Sequence, residues 1–215
     1  MSVDCGTGRI GTTPASPGAG GGVTFNGTVN GTGAFSQGLT VKGGALDFNG
    51  VVGGTKVLGD VVLTDATQVD IDAAFTAKSL TATSAITKFD SSGFTITTTG
   101  DTDAAGGVVS ITTTGGTLTT GAINALGGTV VAGTTGKAGG DVTLTSGAAL
   151  VVGAIDTTGS AAKAGSAANG GDAGTIALDA AATKTITLGG NLTAAGGAAD
   201  GAGTGGAGKA ISFGD

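Results

Sequence analysis

Short triplets of the form apolar, polar, apolar recur along the whole chain, and their spacing restricts the fold more than any other feature. The first three triplets end at Phe25, Phe48 and Ile71, each 23 positions after the previous one, and the first two continue alike as VTFNG and LDFNG. In chain order the triplets are VTF, LDF, VDI, FTI, VSI, VTL, IAL and ISF. Repetition at a near-constant period predicts a fold that stacks copies of one supersecondary unit.

One coil of a parallel β-helix fits this period. Two or three short strands, separated by Gly, Asn, Asp or Ser, point alternate side chains inward, and stacked coils repeat those side chains about 4.8 Å apart. No single coil buries its apolar face, so neighbouring coils stabilise each other. If each triplet marks one coil, the rod is about 40 Å long. We therefore expect an all-β parallel β-helix, a β-solenoid with Gly/Ala-rich loops, whose core ladder consists of Phe25, Phe48, Ile71, Ile96, Ile111, Leu144, Leu178 and Phe213.

The spacing also divides the chain. A leader or cap with two prolines occupies residues 1–21, and β-solenoid repeats fill residues 22–215, with coils of about 23 residues up to about residue 100 and about 33 afterwards. The added length lies in TTGKAGG, AAKAGSAANGG and AADGAGTGGAG, which have the composition of loops. The 15-residue interval from Ile96 to Ile111 fits neither period. A two-sheet sandwich of hairpins is the alternative all-β fold.

Composition excludes several classes of protein. The chain has 47 Gly among its 215 residues, yet 39% of its residues are hydrophobic and its mean hydropathy is +0.36, which is too apolar for a solvated coil. A net charge of −6, with scattered lysines and one arginine, argues against a nucleic-acid partner. No run of 18 apolar residues occurs, so we expect no membrane insertion.

The first residues carry little information about compartment. MSVDCGTGRI lacks the charged start and apolar core of a signal peptide, which leaves a cytosolic protein or a mature or excised piece of an exported one. Cys5 is the single cysteine. It permits no internal disulfide, so we expect a free thiol or a link to a second chain.

The repeats resemble those of a known group of proteins. GGVVSITTTGGTLTTGAINALGG, GGDVTLTSGAALVVGAIDTTG and GGDAGTIALDAAATKTITLGGNLTAAGG look like repeats of filamentous-haemagglutinin-like adhesins and related autotransporter passengers. FNGTVNGTGAFSQGLTV and FNGVVGGTKVLGDVVLT look like passenger repeats of the same group. The resemblance spans about residues 21–213. It implies a right-handed parallel β-helix displayed outside a bacterial cell and used for adhesion, biofilm or matrix building, although the chain shows neither an export signal nor a secretion domain.

Carboxylate pairs are the candidates for catalysis. Asp70 with Asp72, and Asp101 with Asp103, are i, i+2 pairs that could share a strand face, as in polysaccharide-cleaving β-helices. The chain has no Trp, Tyr, His or Glu, so the usual sugar platforms and proton carriers are missing. Cys5 has no His partner, and no serine lies in a GxSxG turn. We expect no enzyme activity and no catalytic residue.

Two further kinds of site can be proposed from the residues. DTDAAGG, over 101–107, begins like a calcium loop through Asp101 and Asp103, but the final Glu of an EF-hand and the GGxGxD calcium repeat are absent. FTITTTG and VSITTTG place Thr95 or Ser110 outward and add Thr97–Thr99 and Thr112–Thr114, which could form a hydroxyl array like that of ice-binding solenoids. Further along, the outward residues are Thr143, Ala177 and Ser212, so the array is not kept.

The sequence therefore predicts a non-enzymatic, extracellular structural or adhesive module of a bacterial surface protein that needs no cofactor. Its expected partners are host or neighbouring cell surfaces, matrix, or copies of itself joined end to end. The last triplet lies in GKAISFGD, and an uncovered solenoid end would be a template for another strand. The alternatives are a self-assembling filament or matrix subunit and an ice-binding solenoid.

Overall fold

The strands of this chain are short, and nearly all of them pair in parallel. The computed structural model describes residues 10–13 and 21–214, which contain nineteen strands and no helix. They form one sheet of eight strands and one of eleven. The prediction of an all-β chain is confirmed.

The eight-stranded sheet, the first sheet, collects strands that are far apart in the sequence. Only its edge strand β1 runs antiparallel to its neighbour β2. In spatial order its strands are β1 (Ile10–Thr13), β2 (Gly22–Phe25), β4 (Ala45–Phe48), β6 (Gln68–Ile71), β8 (Lys88–Ser91), β11 (Leu118–Thr120), β14 (Leu150–Val152) and β17 (Ile186–Leu188).

The eleven-stranded sheet has two arms that share β7 (Phe75–Ile86). The short arm continues from β7 through β9 (Ile96–Thr97), β12 (Ile123–Asn124), β15 (Ile155–Asp156) and β18 (Leu192–Thr193). The long arm lies on both sides of β7 and contains β3 (Leu39–Lys42), β5 (Leu58–Thr64), β10 (Val109–Thr113), β13 (Val142–Ser146), β16 (Ile176–Ala180) and β19 (Ile211–Gly214).

The chain visits these three groups of strands in a fixed order. From β8 it passes to β9 and then β10, and it returns to the first sheet at β11, beside β8. The next circuits repeat the order with β11, β12, β13 and with β14, β15, β16. In the first three circuits Val29, Val52 and Phe75 occupy the position of the short arm, and isolated parallel bridges join Val52 to Val29 and to Phe75. Seven circuits therefore follow one another from β2 to β19.

The eight residues predicted as one core ladder lie in three ladders. Phe25, Phe48 and Ile71 are in register on the first sheet, as predicted. Four others are in register on the long arm: Ile111, Leu144, Leu178 and Phe213. Phe213 is 55% exposed, because β19 is the outermost strand of its arm.

Ile96 belongs to neither ladder. It lies on the short arm, paired with Phe75 on one side and Ile123 on the other. Ile96 and Ile111 therefore lie in the same circuit, which explains the 15-residue interval between them. The prediction of a single ladder with one coil per triplet is wrong, because a triplet marks a buried strand without indicating its sheet.

The core runs through the middle of the stack. Alternation on each strand turns apolar residues inward, and Phe48, Phe75 and Phe89 are completely buried there. Ladders of Val, Ile and Leu continue the core along all three groups of strands. Because parallel strands repeat about every 4.8 Å, each inward side chain contacts its equivalent in the next circuit.

The glycine-rich segments are ordered loops that stack on each other. At the base of three of them an amide donates across the loop: Gly107 N to Thr98 O at 2.7 Å, Gly140 N to Ala125 O at 2.7 Å, and Gly174 N to Thr157 O at 2.8 Å. The loops themselves pair between circuits through Gly100 N to Leu126 O, Gly127 N to Thr158 O and Gly159 N to Ala195 O, at 2.9 to 3.0 Å. We call the stacked loops 99–106, 126–139, 158–173 and 195–208 the glycine flange.

The predicted leader is described in part. Ile10–Thr13 forms β1 and covers the outer edge of β2, while residues 1–9, including Cys5, and residues 14–20 lie outside the described residues. Among the residues that the structure describes, no helix has the length and apolar character needed to cross a membrane.

Candidate functional site: the outer face of the long arm

The outward side chains of the long arm form two rows made largely of Ser and Thr. Strand register places the first row on all seven circuits, whereas the second is interrupted at the irregular pairing of β7 with β10. We call this surface the hydroxyl face. Its first row is Thr40, Val62, Thr81, Ser110, Thr143, Ala177 and Ser212, and its second row is Lys42, Thr64, Thr112, Thr145, Asp179 and Gly214.

Only alternate residues of each Thr-rich strand reach this face. Thr113 points inward and is 2% exposed, and its hydroxyl donates to Gly116 O at 2.9 Å. On the short arm Thr98 is completely buried and donates to Gly107 O at 2.8 Å. Thr97–Thr99 and Thr112–Thr114 therefore do not form one outward array, because the strand alternates and the two segments lie on different arms.

Two concave regions open on the hydroxyl face. Near the last circuits a trough of about 370 Å³ is lined by both rows, including Thr143, Thr145 and Ser212. Near the middle of the chain a groove of about 480 Å³ lies beneath the first loop of the glycine flange. That groove is lined by Asp60, Lys78, Ser79, Thr81 and residues 104–108.

The groove carries charged side chains. Lys78 Nζ lies 3.4 Å from Asp60 Oδ2, and Ser79 Oγ donates to Asp60 Oδ1 at 2.8 Å. A neighbouring cavity of about 260 Å³ continues past Lys78 towards Phe35 and Asp101. Both charged side chains of the ion pair are more than half exposed, so the pair contributes little to stability and remains able to bond a partner.

The first sheet carries a different outer surface. Asp47, Asp70 and Asp90 are in register on β4, β6 and β8, and we call these three residues the acidic ladder. In the orientation that satisfies its hydrogen bonds, Asn49 Nδ2 donates to Asp47 Oδ1 at 2.8 Å and to Asp72 Oδ2 at 3.2 Å. The predicted pair of Asp70 and Asp72 therefore lies at this ladder, among like charges.

Burial and neighbouring charges shift the pKa values of the acidic ladder in different directions. Partial burial, followed by repulsion from Asp72, raises the pKa of both Asp47 and Asp70. Partial burial opposes the shift at Asp90, but hydrogen bonds from Ser92 and the neighbouring Lys88 lower the pKa of that carboxyl. Lys88 Nζ lies 3.2 Å from Asp90 Oδ2.

The two calcium candidates, Asp101 and Asp103, have different hydrogen-bond partners. Both carboxylate oxygens of Asp103 accept amide hydrogen bonds from the next flange loop, at 3.2 Å from Val131, 2.7 Å from Ala132 and 2.9 Å from Gly133. These bonds lower the pKa of Asp103. Asp101 accepts from the amide of Thr102 at 2.7 Å. Across the described residues no three metal-ligating side chains come together.

Other flange aspartates repeat the arrangement at Asp103. Asp172 accepts from Ala207 N at 2.8 Å, and Asp200 accepts from Ser166 N and Ala167 N at 2.7 and 2.9 Å. In each case amide hydrogen bonds between circuits lower the pKa of the carboxyl. We call Asp103, Asp172 and Asp200 the flange caps, because each accepts amide hydrogen bonds from the loop of a neighbouring circuit.

The acidic ladder and the flange caps are features of the structure that the sequence analysis did not predict. The ladder has a readable signal, since Asp47 and Asp70 are the middle residues of LDF and VDI, two triplets already placed in register. No local sequence pattern predicts the flange caps, because Asp103 and its amide partners are about 30 residues apart. Only the stacking of the loops brings them together.

Comparison with known proteins does not assign the chain to a family. No protein-family model matches the chain, and neither a curated protein nor a solved structure gives a significant match. The resemblance to exported adhesins is carried by the repeats alone.

Proposed function

We propose that the chain is a right-handed parallel β-helix. Seven circuits of parallel strands support this interpretation, because crossovers between parallel strands of one sheet are right-handed in about 98% of cases. A crystal structure tests the proposal. A left-handed path, or a sandwich of antiparallel sheets, would overturn it.

We further propose that this β-helix is a non-enzymatic structural and adhesive module of a protein on the surface of a bacterial cell. The observation that carries the proposal is the hydroxyl face, whose first row repeats at intervals of about 4.8 Å along the stack. Many weak hydrogen bonds presented on one body give avidity to cell or matrix surfaces without a deep pocket. The repeats that resemble adhesins lend the same support.

Adhesion can be tested with beads that carry the chain, applied to cultured epithelial cells and to matrix-coated glass. Replacing Thr143 and Thr145 by Lys disrupts the hydroxyl face, and replacing Thr97 and Thr193 by Lys on the short arm is the matched control. We expect the first variant to lose retention and the second to keep it. Equal retention of both variants would exclude the hydroxyl face, and no retention of the wild type would exclude adhesion.

The enzyme alternative has its own test. A screen against polysaccharides, esters and phosphates should give no turnover that Asp70→Asn or Asp101→Asn abolishes. A rate that disappears in either variant would make the chain an enzyme.

A filament or matrix subunit is the second candidate. The last circuit exposes Leu188, Ile211 and Phe213, at 46%, 38% and 55%, so its strand edges can template another chain. At the opposite edge of the first sheet, β1 already covers β2, and a head-to-tail contact would have to displace it or use β3. Sedimentation velocity over a wide concentration range should show association that Phe213→Asp reduces. A monomer at every concentration would overturn this candidate.

Ice binding is the third candidate, favoured by the outward Ser and Thr side chains in register on the hydroxyl face. Thermal hysteresis that Thr143→Lys abolishes would support it. Unchanged ice growth in the presence of the wild-type chain would exclude it.

A further inference from the structure

The acidic ladder places like charges on consecutive strands. Asp47 is the register partner of Asp70, and Asp70 of Asp90, so neighbouring carboxyls are held about 4.8 Å apart at their backbones. Directly opposed like charges destabilise a strand pair. Asp72 adds a fourth carboxylate, linked to Asp47 through the amide of Asn49.

The groups around the ladder neutralise one end of it. Lys88 pairs with Asp90 at 3.2 Å, and Gln68 is the uncharged register partner of Lys88. Thr24 precedes Asp47 in the row, and Thr119 follows Asp90. Asn26 lies beside Asn49. The repulsion is therefore concentrated between Asp47, Asp70 and Asp72.

We propose that the acidic ladder is a pH-sensitive seam that holds the first circuits together loosely near neutral pH and tightly in mild acid. A proton bound by Asp47 or Asp70 removes one charge from the group that these two carboxyls form with Asp72. Repulsion across β4 and β6 is then weaker, and the pairing of these two strands tightens. The seam thus regulates how readily the first circuits open.

The direction of the pKa shifts agrees with this geometry. Partial burial and Asp72 raise the pKa of Asp47 and Asp70 above the ordinary value, so the folded chain binds protons that the unfolded chain has already released. Stability consequently rises as the pH falls from neutral through the folded pKa of these groups, and this gain is complete near the ordinary Asp pKa. The flange caps, whose pKa is lowered, do not lose their charge until the pH is lower still.

Thermal unfolding at pH 7 and pH 4.5, in the presence of a chelator, tests the seam. Asp70→Asn keeps the size of the side chain and removes its charge, and Asp101→Asn is the control outside the ladder. We expect Asp70→Asn to raise the Tm at pH 7 by a few degrees and to reduce the gain in Tm on acidification that the wild type shows. Asp101→Asn should preserve the wild-type difference between the two pH values.

Two further measurements keep the proposal falsifiable. High salt should reduce the advantage of Asp70→Asn at pH 7, because screening weakens repulsion between exposed charges. Hydrogen exchange, corrected for intrinsic rates, should show that protection gained in acid is concentrated in β4 and β6. An Asp70→Asn variant with an unchanged or lower Tm at pH 7 would overturn the proposal, and so would a gain in protection spread evenly over the seven circuits.

Discussion

The rings of Phe25 and Phe48 lie parallel, with centroids 4.8 Å apart and planes inclined by 9°. This separation equals the usual distance between neighbouring parallel strands, so the two rings stack because their strands are in register. Phe75 then contacts Phe48 edge-on, with centroids 5.8 Å apart and planes at 88°. The three rings join the first sheet to β7 inside the first circuits.

Phe48 is the centre of this cluster, and its loss should leave a cavity. Phe48→Ala is expected to reduce the free energy of unfolding by about 3–5 kcal/mol, as measured by urea denaturation. Phe94, which is 36% exposed, provides the control, and Phe94→Ala should cost much less. Equal losses would show that the stack does not stabilise the core.

The base of the first flange loop should tolerate no side chain. A Cβ added to Gly107 would lie 1.5 Å from Lys78 O, whereas one added to Gly115 would have no atom within 4 Å. Gly107→Ala therefore forces backbone to move and should destabilise the chain by roughly 1–3 kcal/mol or more. Gly115→Ala should be neutral or slightly stabilising. Chemical denaturation of both variants compares them, and similar midpoints would contradict the close approach.

Asp103 should stabilise the flange only while it is ionised. Its folded pKa is lowered, so its contribution is present above the ordinary Asp pKa and is lost as the pH falls through the folded pKa. Asp103→Ala should lower the Tm at pH 7, and the difference from the wild type should disappear in strong acid. Asp101→Ala is the control. A difference that persists unchanged at low pH would show that charge is not the cause.

Replacement by Val is expected to have opposite effects on stability at two buried threonines. Thr157 Oγ1 lies 2.8 Å from Gly174 O and 3.2 Å from Thr193 O, whereas Thr120 Oγ1 is buried with no hydrogen-bond partner in the described structure. Thr157→Val should cost about 1–2 kcal/mol. Thr120→Val should be neutral or stabilising, because it removes a hydroxyl that is desolvated without compensation. Denaturation midpoints that change in the same direction would contradict this assignment.

The period of the triplets was sufficient to predict the parallel pairing of the first circuits. Phe25, Phe48 and Ile71 each end an apolar, polar, apolar triplet and follow one another at a constant offset of 23 residues, and a constant offset defines the register of a stack. The sheet to which a triplet belongs could not be read in the same way. FTI and VSI have the same pattern, yet Ile96 and Ile111 lie on different arms because the loop between them is closed at its base by Gly107.

The sequence predicts those parts of the candidate surfaces that depend only on the alternation of side chains along one strand. Outward Ser110 and Thr143 follow from the period of two along a strand. The burial of Thr113 follows from the same rule, which separates it from the outward Thr112. The groove at Lys78 required the position of a loop from the following circuit, and no spacing within a strand encodes that position.

The flange also limits how such a chain can change during evolution. The second and third flange loops share amide hydrogen bonds with the loops before and after them, so an insertion in either one leaves unmatched backbone groups in both neighbours. Val109, Val142, Ile176 and Ile211 follow one another at register offsets of 33, 34 and 35 residues, so consecutive circuits from β10 to β19 differ in length by one residue. Duplication of an entire circuit preserves every match, and inheritance should therefore favour added circuits over altered loops.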